Sequence, residues 1–546
     1  MPTELCAVCG IPAGQRCSGC QQVTYCGREH QRRHWKDAHR AECRCYKVSR
    51  NAILGRHLAA TRPIRRGEII YRDPPMLIGP KINSVPLCLG CHRNLAPQLP
   101  AHNEQQPASR KTLYTCRHCG WPLCGPSCES SSLHTDECQL FRSRNYRPHI
   151  VLHENEPKRK DPAYCVIVPL RAIMLAKKDP RKYAKMRTFE SHLETRTSTP
   201  LYAVLKSNLV PFIRNVLGLH EFGEDELLQL AGIMDTNSYE IRVPKRDIKI
   251  RGIYELGAMM SHDCRPNTKH FFDEQLNMVL VAAVDIRKDD VICTSYCQPL
   301  LPTIQRRYVL KLAKCFECLC DRCRDPTELG TYLGSIICPK CSQAKMIATN
   351  PLDFRSDWQC QRSSEQCSYR ESAQRYVQRN ETFQAEIMAL RKSGTQYFER
   401  FLDTFQETTL HPWNANVLQV KYALCQLYDS LLEGPVSTQA LTEQQKRRQV
   451  ELCRDLLAVA EILEPGQSLF RAKLLLHLRA ALIALLPTQV QSKQPNLENP
   501  APEVPTGAKT KQSLASDRTV KRQQLERVQQ ELEEMLRSDP TLDGLL

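Results

Sequence analysis

The chemistry most visible in this chain belongs to its cysteines. There are 28 of them, and half fall in pairs separated by two residues. At that spacing one tight turn presents two thiolates to a tetrahedral Zn2+. The first group runs Cys6, Cys9, Cys17, Cys20, Cys26 and His30, then His39 and Cys43. These donors suit two zinc ions in an interleaved arrangement, with Cys6, Cys9, Cys26 and His30 around one and Cys17, Cys20, His39 and Cys43 around the other. Residues 31–40 are helix-like, which would place His39 and Cys43 on one face. His34 is a spare that could replace His30 in the register. A second group repeats the logic with Cys88 and Cys91, then Cys116, Cys119, Cys124, Cys128, His134 and Cys138, Cys128 standing where His30 stands. The gap between its halves, Pro97–Ser109, is rich in Pro, Gln and Ala and reads as an extruded loop. Scattered cysteines are ordinarily small buried hydrophobes, but two matching sets of eight argue against that here. Cys318, Cys320 and Cys323 make a third group that needs a fourth ligand from elsewhere, and Cys338, Cys341, Cys360 and Cys367 resemble a zinc ribbon. Cys45, Cys165, Cys293, Cys297, Cys315, Cys425 and Cys453 read as ordinary thiols.

The rest of the chain must position these groups. Its 546 residues suggest several domains or one large composite body. Hydrophobic residues make up 41%, enough for cores, and the mean hydropathy is -0.45. No apolar run is long enough to span a bilayer, so no membrane partner is expected. The first residues carry Cys6 and Cys9 rather than a basic start and an apolar stretch, so no secretory leader is expected. The cysteines then belong to a reducing compartment, nucleus or cytoplasm, where such patterns mean metal or catalysis. The net charge of +17, from 76 basic and 59 acidic residues, is spread along the chain. Lys158-Arg159-Lys160 is too short for a nuclear signal, and without aromatic-basic interleaving the charge does not point to nucleic acid as the main partner.

Residues 52–78 alternate apolar and polar types around Gly55 and Gly67, predicting short strands and tight turns. Residues 165–230 look helical, with Leu227, Leu228 and Leu230 near the end; Met278–Val284 and Val291–Tyr296 return to strand signals. After residue 371 the pattern is helical. Val450, Cys453, Leu456, Leu457 and Ala460 keep helical spacing, and Leu474, Leu475, Leu478, Leu482 and Leu485 do so after the Pro465-Gly466 break. Such helix pairs suit a repeat-like bundle. Pro487–Gly507 reads as disordered, followed by a charged helix at about Ser516–Arg537.

Several of these pieces resemble a known family. The two sets of eight resemble MYND zinc fingers. Ser261-His262-Asp263-Cys264-Arg265-Pro266-Asn267 resembles the Asn-His-Ser-Cys-x-Pro-Asn signature of SET domains, Thr294-Ser295-Tyr296 the SET tyrosine motif, and Phe316-Glu317-Cys318-Leu319-Cys320-Asp321-Arg322-Cys323 the post-SET zinc segment. Together they look like the SET-and-MYND (SMYD) family, and the extra finger ahead of the SET core looks like its arthropod-specific branch. The resemblance runs from residue 6 to about 370, with weaker support beyond.

The resemblance implies an α+β fold: a SET-type β-sheet core with a knot-like crossing and an inserted MYND finger, an additional N-terminal MYND finger, a post-SET zinc site and a helical repeat-like C-terminal domain. The divisions it implies are 1–45 for the N-terminal finger and 46–300 for the SET domain, with the second finger at 86–140 and a helical insert at 141–230. The post-SET and ribbon region follows at 301–370, the helical domain at 371–487 and the tail with its charged helix at 488–546. It implies an S-adenosylmethionine-dependent protein-lysine methyltransferase acting on histone or other protein lysines, with up to six Zn2+. Such chemistry displaces a sulfonium methyl in line onto a neutral amine held in a narrow dry channel.

By position, Tyr296 takes the catalytic hydroxyl's place. His262, Ser261, Asn237 and Phe316 take cofactor-contacting places, and Cys264 joins Cys318, Cys320 and Cys323 as the missing zinc ligand. Three positions depart from the family pattern. Ser261 replaces an Asn, His57 replaces the second glycine of a Gly-x-Gly turn, and Lys314 stands where a second active-site tyrosine is usual. A cation at Lys314 would repel a substrate lysine unless it points away. The alternative these departures suggest is a catalytically degenerate adaptor. Its MYND fingers would bind proline-containing peptides of protein partners, for example in transcriptional repression.

Overall fold

The computed structural model describes residues 5–17, 23–40, 43–95, 114–150, 159–243, 248–362, 366–390, 394–433, 441–486, 508–539 and 542. Cys20, the Pro97–Ser109 gap and the Pro487–Gly507 stretch lie outside them.

The N-terminal finger is a two-stranded ribbon, Gln15–Arg16 against Thr24–Tyr25, followed by α1 (Arg28–His34), which widens into a π-helical turn at Trp35–His39. A core of short strands follows. These are β1 (Tyr46–Asn51), β2 (Gly55–Ala60), β3 (Ile69–Asp73), β4 (Pro75–Gly79), β5 (Tyr239–Arg242), β6 (Lys249–Tyr254), β7 (Ser261–His262), β8 (Thr268–Phe272), β9 (Met278–Ala282) and β10 (Val291–Thr294). They make three small sheets, ordered β1-β2-β10-β7, β8-β9-β3 and β4-β6-β5. Local chemistry sets the corners. At the β1–β2 turn the Asn51 carboxamide oxygen accepts from the backbone N–H groups of Ile53 and Leu54, at 3.0 and 2.7 Å, and Gly55 adopts φ +64°. β9 is buried at every position and central in its sheet, which is why its run is continuously apolar.

Helices pack around this core: α2 (Thr135–Ser143), α3 (Ile167–Lys178), α4 (Glu224–Asn237) and α5 (Thr303–Lys314). The first turn of α4 carries Glu224, Asp225 and Glu226, where carboxylates favour the helix dipole. α5 ends because Cys315 enters the left-handed region at φ 58°.

The C-terminal domain is α6 (Ala373–Leu390), α7 (Thr395–Phe405), α8 (Ala415–Glu433), α9 (Glu443–Leu463), α10 (Leu469–Leu485) and α11 (Ala508–Ser538). The expected charged helix is longer than the charge pattern suggested. It also joins the helical core, burying Val528, Leu532 and Met535 there. The helical domain is seated on the strand core. Arg265 Nε donates to Ile462 O at 3.0 Å. A Cβ on Gly466 would lie 2.0 Å from Ala283 O, so the turn between α9 and α10 fits only as glycine.

Candidate functional site

The cysteine groups converge as their spacing requires. Donor atoms of Cys6, Cys9, Cys26 and His30 lie within 4.8 Å of one another, as do those of Cys88, Cys91, Cys124 and Cys128, of Cys116, Cys119, His134 and Cys138, of Cys264, Cys318, Cys320 and Cys323, and of Cys338, Cys341, Cys360 and Cys367. Four sulfurs at about 2.3 Å from a tetrahedral Zn2+ sit about 3.8 Å apart. The separations here match: 3.6 Å for Cys9–Cys26, 3.5 Å for Cys91–Cys124, 3.7 Å for Cys116–Cys138, 3.9 Å for Cys264–Cys318 and 3.8 Å for Cys338–Cys367. They are far longer than a disulfide. His30 faces its cysteines with Nδ1, 3.0 Å from Cys26 Sγ, whereas His134 uses Nε2, 3.5 Å from Cys119 Sγ. Burial lowers the His134 pKa to about 4, leaving the neutral imidazole a metal needs. Cys17 and Cys43 approach to 3.8 Å, and His39 is buried with its ring 6.2 Å from that of Tyr25, while Cys20 lies outside the described residues. His34 is not a substitute for His30: its Nδ1 is bonded to Tyr25 OH at 3.0 Å.

The Cys264 cluster is ringed by cations. Arg306 Nε donates to Cys264 Sγ at 3.2 Å and its Nη2 approaches Cys323 Sγ at 3.6 Å. Arg306, Arg322 and Glu328 are all buried, with Arg306 paired to Glu328 at 2.6 Å. Four thiolates around Zn2+ leave a dianionic centre, and these guanidinium groups offset it where water cannot.

The same cysteine leads into the candidate reaction site. β10 pairs with β7 in parallel, Cys293 opposite Ser261 and Thr294 opposite His262. That crossing lays the Ser261–Asn267 motif against Thr294-Ser295-Tyr296. His262 Nδ1 then accepts the backbone N–H of Tyr296 at 3.0 Å, and its Nε2 lies 3.2 Å from Cys264 Sγ. Because Nδ1 accepts, Nε2 carries the proton and donates to the sulfur. One imidazole therefore ties Tyr296 to the Cys264 cluster.

Tyr296 donates its hydroxyl to Met260 O. Burial pushes its pKa up to about 12, so at neutral pH the hydroxyl is protonated. Phe316 closes the cluster, its ring 5.8 Å from His262 and 6.5 Å from Tyr296. Asn237 ends α4 nearby with its amide turned inward, donating to Glu190 O at 2.8 Å and Ile233 O at 2.7 Å. His57 does not project into free space. It is buried, with Nδ1 3.1 Å from Gly55 O.

Lys314 does not reach for solvent. Its Nζ donates to Thr236 O at 2.6 Å and stands 5.4 Å from the centre of the Tyr296 ring. Burial lowers its pKa.

Two buried hydroxyls, Ser261 Oγ and Ser238 Oγ, lack a hydrogen-bond partner within the protein, and they flank His262 and Asn237 in sequence. A buried hydroxyl left unpaired costs free energy unless a polar ligand takes it up. The sequence reading passed over Ser238, although it sits inside Asn237-Ser238-Tyr239. It also missed Arg196, which pairs with Asp235 and donates to Thr236 Oγ1 and to Ala313 O at 3.1 and 3.0 Å, joining the ends of α4 and α5. No spacing or motif flags Arg196.

Comparison with known proteins agrees with this layout. Residues 6–43 match the MYND finger model and residues 55–297 the SET domain model. The chain is thus a SET-domain protein preceded by a MYND finger. It belongs to the SET and MYND domain family. Among its relatives is the Drosophila melanogaster SET domain-containing protein SmydA-8, isoform A, 29% identical over 325 residues, 58% of this chain and 64% of that protein. The Arabidopsis thaliana histone-lysine N-methyltransferase ASHR1 is 26% identical, covering 51% of this chain and 55% of that protein. The mouse N-lysine methyltransferase SMYD2 is 24% identical, covering 50% and 59%. The chain spans less than two thirds of each of these relatives.

Proposed function

We propose that this chain is an S-adenosylmethionine-dependent protein-lysine methyltransferase, acting on histone or other protein lysines in the nucleus or cytoplasm. The observation that carries this reading is the parallel β7–β10 crossing, which delivers Tyr296 onto His262, the residue that follows Ser261 with its unpaired buried hydroxyl. Relatives named as lysine methyltransferases support it.

S-adenosylmethionine, when bound, supplies the sulfonium methyl. Ser238, Asn237, Ser261, His262 and Phe316 are the residues that would hold it. The chain's own groups do the rest. The Tyr296 hydroxyl and Met260 carbonyl sit together as an oxygen pair able to orient an amine. Tyr296 stays protonated at neutral pH, so its hydroxyl donates without itself ionising. The aromatic rings of Tyr296, Phe316 and His262 keep the place dry, which sharpens every polar contact within it. Up to six Zn2+ would complete the molecule, two in each finger, one at Cys264 and one at Cys338. The fingers are also proposed to take proline-containing peptides of protein partners.

Calorimetry with S-adenosylhomocysteine and a labelled-methyl assay on histone and lysate substrates test the reading. Binding is expected, with transfer cut by about 10^2-fold or more in Tyr296→Phe while zinc content stays unchanged. Absence of both binding and transfer would reject the enzyme and leave the adaptor.

A further inference from the structure

Lys314 is the last residue of α5, and the left-handed Cys315 that follows turns the chain so that Phe316 joins the aromatic cluster. A lysine at a helix end ordinarily lays its stem along the surface and keeps its ammonium in water. This one points inward. Its Nζ is fixed at 2.6 Å from Thr236 O, the residue before Asn237, and stands over the ring of Tyr296. The carboxylate that acts on it, Asp235, is already paired with Arg196, whose guanidinium adds a second positive charge at the same corner. Lys314 therefore brings positive charge to the reaction tyrosine with little to offset it.

We propose that Lys314 sets the charge preference of the SET pocket: its ammonium occupies the cation-favouring face of Tyr296, so the site takes the neutral thioether S-adenosylhomocysteine in preference to the cationic sulfonium S-adenosylmethionine, and opposes a second ammonium at the same ring. The inference rests on the cofactor reading above. The face of an aromatic ring attracts one cation well, and two like charges a few ångströms apart in a half-buried site repel strongly. An incoming sulfonium or substrate ammonium must displace Lys314 or endure it. The chain is thus held at low activity by its own side chain, and it responds to anything that removes that charge.

The test compares full-length, zinc-loaded wild type with Lys314→Met and Lys314→Arg by calorimetry against both S-adenosylmethionine and S-adenosylhomocysteine. Methionine keeps a similar length without the charge, and arginine keeps the charge. Lys314→Met should tighten S-adenosylmethionine by about tenfold or more and change S-adenosylhomocysteine by less than about threefold. Lys314→Arg should keep the wild-type ratio. S-adenosylhomocysteine binding with the same affinity ratio in Lys314→Met as in wild type overturns the inference and leaves the proposed function standing, as does Lys314→Arg behaving like Lys314→Met. Binding of neither ligand to any of the three proteins overturns both.

Discussion

The two sets of eight donors follow one scheme but stand in different surroundings. Among the described residues, the buried hydrophobic cluster of the N-terminal finger holds only Cys6, Cys17 and Tyr25. In the second, Cys88, Cys116, Cys119, Cys128 and Cys138 belong to the main core, together with Trp121, Phe141, Tyr164 and Ile253. Tyr164 exchanges hydrogen bonds with the backbone of Leu87, at 3.0 Å from its N–H and 2.9 Å to its carbonyl. Arg171 on α3 pairs with the buried Glu137 and donates to Ile78 O at 2.7 Å. The second finger is thus fastened to both strand β4 and helix α3. The difference teaches that a ligand pattern fixes the metal geometry but not what depends on it. In one place the metal holds a small appendage, in the other it holds a wall of the SET domain.

Removing a ligand from each finger tests this most directly. A structural zinc supplies on the order of 10 kcal/mol, as much as a whole domain's usual stability. Cys116→Ser should abolish the main cooperative unfolding transition in scanning calorimetry. Cys17→Ser should leave that transition in place and make residues 5–43 sensitive to limited proteolysis. Equal loss in both would erase the distinction between the fingers. Cys264→Ser extends the comparison to a cysteine cluster joined through His262 to Tyr296, the proposed reaction site. One zinc should be lost, and S-adenosylhomocysteine binding should weaken by about tenfold or more. Full zinc content in that variant would remove Cys264 from the ligand set.

A gentler comparison uses two glycines. A Cβ on Gly90 would lie 2.6 Å from Cys128 O and 2.7 Å from Cys128 Cβ, so Gly90→Ala must push a ligand aside. It should cost about 1–3 kcal/mol and speed zinc release to a chelator. Gly10 in the first finger faces open space at φ +71°. Gly10→Ala meets only backbone strain of about 1–2 kcal/mol, and its zinc release should change less.

What the sequence made legible was local. The pairs Cys6/Cys9, Cys88/Cys91, Cys116/Cys119 and Cys338/Cys341 announce themselves because both ligands come from one turn. The Ser261–Asn267 motif announces the crossing because its spacing is tied to that turn of chain. Arg306, buried against Cys264, reads in sequence as one more charge on a basic helix. Lys314 reads the same way, and only its approach to Thr236 and Tyr296 shows which way it points. The docking of α11 escaped because its three buried residues, Val528, Leu532 and Met535, are scattered in a highly charged stretch. Each of these depends on which element lies opposite, and periodicity carries no information about that.

The smallest effect concerns the residue after each paired cysteine. Gly10, His92, Gly120 and Ser342 follow the second cysteine of their turns, all at positive φ, of 71°, 57°, 79° and 52°. Each donates its backbone N–H to the first cysteine's carbonyl, at 2.9, 2.7, 2.9 and 2.8 Å. In these four turns the residue after the second cysteine is left-handed, a conformation glycine adopts without a Cβ penalty. Two of the four turns use a side-chain-bearing residue instead. His92 is buried, so replacing it would mix strain relief with lost packing. Ser342 is exposed, so it isolates the backbone term. Ser342→Gly relieves strain of about 1–2 kcal/mol and gives back part of it through the freer unfolded chain. The net should be a gain of up to about 1 kcal/mol, read as slower loss of the Cys338 zinc to a chelator and a raised denaturation midpoint. A destabilised Ser342→Gly would mean that the serine side chain does more at this turn than occupy a left-handed position.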